Sequence, residues 1–439
     1  MIVIVGGGAS GVIFAAHLLR ASGNSQIVLV EKRGEVGRGL AYSTTLPDHL
    51  LNVRAQNMSA FPDDPGHFLR WLQQRGLIGP EDAFFFAPRK VYGDYLQDLI
   101  REMAADHPGR LQIIDDEVVA AVPDASGVRV ELASGKKLQA EKVVLATGHE
   151  VEPLQRDKIA IRVDSDEDTS LDPQSPVLIL GSGLSMVDAF LSLEARNHRG
   201  PVTVVSRRGL LPQRQVLPHP IAFDEGEIPL GQEPSRFLAW LRARVEAHEQ
   251  TGGNWRDVVD GLRPFDQRIW QSWPEKFRRP FLRHGKAWWD THRHRMAPEI
   301  HDRITAAIRE GRLIVRAAKV IDAVQAGDGI DVTIRPRGSR PQETLHVSRI
   351  YDCTGIIRNV ENSSRAILRS LVEAGLAKAD PLRLSLHVSG DCRLIARDGK
   401  PSANLYALGP LTRGEFFEID AIPDIRVQCA ELAKQIGGS

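Results

Sequence analysis

Glycines, one acid and a group of cations stand at spacings that could bind dinucleotides. Gly6-x-Gly8-x-x-Gly11 directly follows the apolar run from Ile2 to Val5. In such a turn the first glycine permits a sharp bend, the second lets a diphosphate approach the backbone, and the third lets the next helix pack closely on the strand. The N-terminus of that helix, with Ser10 in its first turn, then faces the phosphates. Glu31 closes the next apolar run 25 residues beyond Gly6, near the spacing at which an acid accepts the hydroxyls of an adenosine ribose, and Lys32 adjoins it. A carboxylate there repels a 2′-phosphate, so this unit is expected to hold FAD.

The same grammar returns at Gly181-x-Gly183-x-x-Met186, after the run from Val177 to Leu180. Methionine at the third position means that helix and strand pack less closely. The following strand ends in Ser206-Arg207-Arg208, a hydroxyl and two guanidinium groups suited to a 2′-phosphate, so NADPH is expected rather than NADH. Two further strand ends, Ala146-Thr147-Gly148 and Asp352-Cys353-Thr354-Gly355, close apolar runs with a small residue and a glycine. That is what a chain needs where it leaves a sheet beside a bulky cofactor.

Positioning these groups requires two strand-turn-helix-strand units. Between them, runs at 117–122, 128–132 and 142–145 read as a small meander feeding back into the first sheet. A similar pattern at 329–353 reads as the return to the first domain. The Trp-, Arg- and His-rich stretch between reads as a helical insertion, with Phe237, Leu241 and Val245 at helical spacing after a Ser235 cap. The expected fold is α/β: an NADPH-binding domain (169–322, with helical insertion 233–310) inserted into a discontinuous FAD-binding domain (1–168 and 323–439).

Lys plus Arg and Asp plus Glu balance at 56 each, so no global field draws nucleic acid or an anionic membrane. Cys353, Cys392 and Cys429 form no C-x-x-C pair, which leaves no redox dithiol to read. No run approaches the roughly 18 apolar residues of a membrane span, and the expected setting is cytoplasmic. His292, His294 and His301 alternate with arginines rather than with acids, so no metal is expected. The arginines of 277–295 read as a solvated face, and Trp270, Trp273, Trp288 and Trp289 as core.

With these units in place the chain resembles the two-dinucleotide-binding flavoproteins, especially flavin-containing and N-hydroxylating monooxygenases. It is closer still to a bacterial FAD/NAD(P)-binding oxidoreductase family that includes a FAD-dependent urate hydroxylase. Gly39-Leu40-Ala41-Tyr42-Ser43, Leu51-Asn52-Val53, the run from Met58 to Pro65, and the run from Leu405 to Pro410 carry this resemblance, which covers nearly the whole chain. It implies an enzyme in which NADPH reduces FAD and a C4a-hydroperoxyflavin hydroxylates a small polar or nitrogenous substrate with O2. It also implies a catalytic role for Asn52 beside the flavin, with Gln56 and Asn57 as competitors. Gly409 would sit at the flavin. Many relatives have an Asp after that glycine to hold the ribityl chain, and Pro410 stands there instead, leaving backbone groups or Thr412. The C-terminal helix opening near Asp420 and Pro423 would place its positive end at the flavin's pyrimidine edge. Two other readings stay open: a reductase passing electrons to a carrier, and a non-catalytic FAD-binding sensor or scaffold.

Overall fold

The computed structural model describes residues 1–79, 82, 84–151, 159–163, 168, 171–354, 356–357 and 359–438. Along the chain come β1 (Ile2–Val5), α1 (Ala9–Arg20), β2 (Ile27–Glu31), β3 (Leu111–Asp115) and β4 (Lys142–Leu145). The second unit follows with β5 (Val177–Leu180), α2 (Leu184–Ala195), β6 (Val202–Ser206), α3 (Lys286–Arg293), β7 (Leu313–Ala326), β8 (Gly329–Pro336), β9 (Glu343–Val347) and β10 (Arg349–Asp352). The chain closes with β11 (Arg393–Ile395), β12 (Pro401–Ala407) and α4 (Ile422–Gly437).

One sheet has the order β11-β12-β4-β1-β2-β3. Its β1 is central, pairing in parallel with β2 (Ile2 opposite Ile27) and with β4 (Ile2 opposite Lys142). Buried on both faces, β1 and β2 read as continuous apolar runs rather than alternating ones. The other sheet runs β9-β8-β7-β6-β5-β10 and ends on the short strand Ala160–Ile161. Its β5 pairs in parallel with β6 and with β10. In each sheet, therefore, the strand before the glycine turn lies between its successor and a strand that ends in a Thr-Gly step.

This pairing corrects one expectation. The strands within 329–352 do not return to the first sheet; β8 and β9 extend the second through antiparallel ladders, and β10 occupies beside β5 the place that β4 occupies beside β1. A run of apolar residues specifies a strand but not its partner. The first two strands of the meander form as expected (Val118–Asp124, Gly127–Leu132), but its third is Lys137–Ala140, which the sequence reading missed, and the expected third run is β4 of the first sheet. The 233–310 stretch is helical, but its first helix spans Pro234–Gln250 with Glu233 at the N-cap, so Ser235 lies inside the first turn. Among the described residues no helix is long and apolar enough to cross a membrane.

Candidate functional site

Gly6, Gly8, Ser10, Glu31, Lys32, Thr147 and Gly148 come together along one open cleft. Gly6 has φ +104°, and a Cβ there would lie 2.7 Å from the Ala146 carbonyl oxygen, so the turn admits glycine alone. Gly11 is the tight packing position, since its Cβ would fall 1.9 Å from the Gly6 carbonyl oxygen. Gly8 differs: the nearest atom to its Cβ is Gly39 Cα at 3.5 Å, so that side of the turn opens on the cleft. The Glu31 carboxylate accepts from Gly7 N–H at 2.6 Å and from Arg33 N–H at 3.0 Å, which fixes it at the strand end. Lys32 Nζ reaches Glu117 Oε1 at 3.0 Å. An open glycine cradle, an uncapped helix N-terminus and a buried carboxylate one strand away fit the diphosphate and ribose of FAD.

Ser182, Gly183, Ser206, Arg207 and Arg208 line a second cleft. Gly181 repeats Gly6: φ is +97°, and its Cβ would meet the Cys353 carbonyl oxygen at 2.8 Å. Gly183 has no atom within 4 Å of the Cβ position, leaving the N-terminus of α2 open. Met186 is fully buried where Gly11 has its counterpart. Ser206 Oγ lies 2.8 Å from Ser182 Oγ and accepts from Gly209 N–H at 3.0 Å, so this hydroxyl shapes the loop. Arg207 is exposed and Arg208 half-buried. The insertion adds Lys286 to the same cleft. A helix N-terminus with two arginines suits a ligand carrying several phosphates, while Lys286 is paired with Asp290 of the same cleft.

Asn52 and Thr412 are not among the residues lining the first cleft, and Gly409 adjoins one that is, Ser10. Asn52 lines a separate pocket against Leu184 and Val187 of α2, and its backbone carbonyl accepts from Gln215 Nε2 at 3.2 Å. Gly409 has φ +63°, with its Cβ position 2.4 Å from Ser10 Oγ, so it packs on the start of α1. Thr412 cannot serve a ribityl chain, because it is buried, donates to the Gly409 carbonyl at 2.8 Å and accepts from Gln428 Nε2 at 3.0 Å. Pro410 lines the first cleft instead. Gly355 lies outside the described residues.

Three residues that the sequence reading did not assign gather where the clefts meet. His149 and Asp420 line both, and Arg413 lines the second. Arg413 holds Asp420 through Nε at 3.0 Å and Nη2 at 2.6 Å, and Nη2 lies 3.2 Å from His149 Nδ1. Burial pushes the His149 imidazole down to about 4; Asp420 opposes this, and Arg413 and Arg365 add to it. Burial also disfavours ionised Asp420, yet Arg413 and His149 more than offset that and hold it below the usual carboxylate range. The one signal in the sequence was that His149 follows a strand-ending Thr-Gly.

At the wall of the second cleft, Asp290, His294 and Glu418 bring ligand-type atoms within 4.8 Å of one another. An ammonium already serves this group: Lys286 Nζ lies 2.6 and 2.8 Å from the Asp290 oxygens, while His294 Nε2 is 3.0 Å from Glu418 Oε2. The arginines expected on a solvated face are buried in part. Arg293 lies 3.5 Å from Asp266 and Arg295 pairs with Asp260. Trp270 is core, stacked on Phe417 at 4.7 Å, whereas Trp288 is 47% exposed.

Two sheets of this order, each with a glycine turn after an interior parallel strand, define the two-dinucleotide-domain fold of flavin-dependent oxidoreductases. Residues 3–150 match a family described as FAD-NAD(P)-binding. Over its full length the chain is similar in structure to the ornithine hydroxylase PvdA of Pseudomonas aeruginosa, with a TM-score of 0.66, 17% identity, and coverage of 99% of this chain and 98% of that one. It is likewise similar to the ornithine N-hydroxylase of Kutzneria sp. 744, with a TM-score of 0.64, 16% identity and the same coverage. In sequence, 157 residues are 26% identical to a 3-dehydro-bile acid delta(4,6)-reductase of Clostridium scindens. That match spans 33% of this chain and 38% of the reductase.

Proposed function

We propose that this chain is a FAD-dependent monooxygenase that oxidises NADPH and inserts one atom of O2 into a small polar or nitrogenous molecule. The overall change balances as NADPH, a proton, O2 and substrate giving NADP+, water and hydroxylated substrate. The observation that carries the two-cofactor reading is the meeting, at His149 and Asp420, of a first-unit cleft and a second-unit cleft that carries Arg207 and Arg208. FAD would lie along Gly6, Gly8, Glu31 and Gly148, and NADPH along Gly183, Ser206, Arg207 and Arg208. The flavin would supply the redox chemistry; the chain supplies orientation and exclusion of water. The domain division proposed with it follows the sheets, with 160–352 forming the NADPH unit and the remainder the FAD unit.

The full-length likeness to two ornithine hydroxylases favours oxygen insertion. The second reading, a reductase that hands electrons to an organic acceptor, is favoured by the match to a bile-acid reductase over a third of the chain. Oxygen consumption decides between them. Purified yellow protein given NADPH and a panel of amines and small heterocycles is expected to consume O2 in step with hydroxylated product, with little hydrogen peroxide. Rapid anaerobic turnover with an enone or quinone, and sluggish O2 uptake, would transfer the assignment to the reductase.

A further inference from the structure

His149 faces three cavities. Besides the two nucleotide clefts it lines a small gap, with room for about one water, walled in part by Leu368, Leu384 and Arg365. Asp420 lines two of the three, and Arg413 another two. The backbone carrying His149 is clamped as it leaves the first sheet. Arg365 Nη1 donates to Thr147 Oγ1 at 2.7 Å and to the Gly148 carbonyl at 3.0 Å, and Nη2 donates to the His149 carbonyl. The ring is held separately. Arg413 Nη2 lies 3.2 and 3.4 Å from its two nitrogens, Asp420 Oδ1 lies 3.4 Å from Nε2, and Asp420 fixes Arg413 through both its oxygens. A residue serving only as a strut between β4 and the 413–420 segment would not need a ring 28% exposed where two nucleotide clefts meet.

We propose that His149 is the contact residue at the meeting point of both cofactors, with Arg413 and Asp420 as the positioning residues that hold its ring. This rests on the two-cofactor reading above. With Arg413 donating to one ring nitrogen, the neutral imidazole keeps one N–H, which can donate to a carbonyl edge of either cofactor without bringing a charge to the junction. Its surroundings keep it neutral: burial, Arg413 and Arg365 all disfavour the imidazolium, and Asp420 alone favours it. Phosphate affinity, by contrast, belongs to Arg207 and Arg208, which line only the second cleft.

The test compares full-length, FAD-loaded wild type with His149→Ala and His149→Gln. FAD content, the flavin difference spectrum on titration with NADP+, and the anaerobic single-turnover rate of reduction across NADPH concentrations are measured. Both variants should keep FAD and bind NADP+ within about threefold of wild type, while His149→Ala loses more than about half of the spectral change and about tenfold or more of the limiting reduction rate. His149→Gln, which keeps a neutral donor and acceptor, should recover part of both. A His149→Ala protein within about twofold of wild type in limiting rate and spectral change would show a strut and overturn the proposal. Loss of FAD from both variants would also overturn it, because the residue would then serve retention rather than the junction. A wild type that holds FAD but is reduced by neither NADPH nor NADH overturns the functional reading and this inference with it, and is seen before any variant is made.

Discussion

At the scale of single residues, the glycines of the first turn have separable duties. A methyl group on Gly11 would lie 1.9 Å from the Gly6 carbonyl oxygen, whereas one on Gly8 would face the cleft with only Gly39 Cα near, at 3.5 Å. Gly11→Ala is therefore expected to destabilise the fold itself. Gly8→Val should leave the apoprotein folded and abolish FAD retention, because the side chain occupies the space a diphosphate needs. Circular dichroism melts beside flavin absorbance of the purified variants check both outcomes. A Gly8→Val protein with full flavin content would remove FAD from this cleft. In the second cleft, charge-assisted bonds to a 2′-phosphate are each worth about 1.5 to 3 kcal/mol, so Arg207→Ala with Arg208→Ala should raise the KM for NADPH by about tenfold or more and barely change that for NADH. Equal losses with both coenzymes would make the pair structural. Glu31 is a milder case. Glu31→Ala removes an acceptor for ribose hydroxyls without blocking the site, but it also frees Gly7 N–H and Arg33 N–H, so FAD affinity should fall less than in Gly8→Val. Unchanged affinity in a flavin titration would show that the carboxylate serves the turn alone.

At the scale of elements, the helical insertion is tied to the segment just before α4. Glu418 accepts from Trp289 Nε1 at 3.1 Å and pairs with His294, while Trp270 Nε1 donates to the Gly414 carbonyl at 2.9 Å. Burial opposes ionisation of Glu418, yet His294, Arg293 and Lys286 hold its carboxyl well below the ordinary range. Removing one partner from a buried ionic group of this kind costs about 3 to 5 kcal/mol, so Glu418→Ala should lower the thermal midpoint by about 5 °C or more. A midpoint within about 1 °C of wild type would mean that the insertion is held by its apolar contacts. These ties also explain what the sequence could and could not disclose. Both glycine turns, Glu31 and the Ser206-Arg207-Arg208 strand end were legible because each is a local pattern whose spacing follows from one strand-turn-helix unit. The sheet joined by 329–352 was not, since strand pairing is a long-range choice that an apolar run does not encode. Nor was the junction: His149 and Asp420 lie 271 residues apart, and Arg413 and Glu418 stand in a segment that shows neither helical nor strand period. Asn52 was singled out by resemblance alone, and the structure places it against α2.

At the scale of the whole molecule, the two nucleotide units are built alike, but the first sheet carries the larger continuous core, with α1 packed between β1, β2 and α4. His17 lies in that core, away from both clefts, with Nε2 3.2 Å from the Ala60 carbonyl and its ring edge-on to Phe61 at 5.2 Å. Burial is the main cause that lowers its imidazole from 6.5 to about 4, with the Ala60 carbonyl opposing and Arg20 assisting. The sign follows directly. The unfolded chain takes up this proton near pH 6.5 and the folded chain only near 4, so the folded state loses stability as pH falls through that interval and the loss levels off below it. Each unit of difference is worth about 1.4 kcal/mol, so this one group should withdraw about 3 kcal/mol between pH 6.5 and 4. Carboxyls raised by burial, such as Asp380 and Glu415, act in the opposite sense as they protonate, so the raw acid profile of the wild type mixes the two. Comparison with His17→Gln separates them, because the amide can keep the donor to Ala60 and does not titrate. Urea melts of the apoprotein at intervals from pH 7 to 4 should show a shallower acid loss in His17→Gln, by about 3 kcal/mol over the interval, with the same response of every other group. Parallel profiles for the two proteins would mean that the imidazole is hydrated or already protonated in the fold, and that the core around α1 is less closed than its contacts indicate.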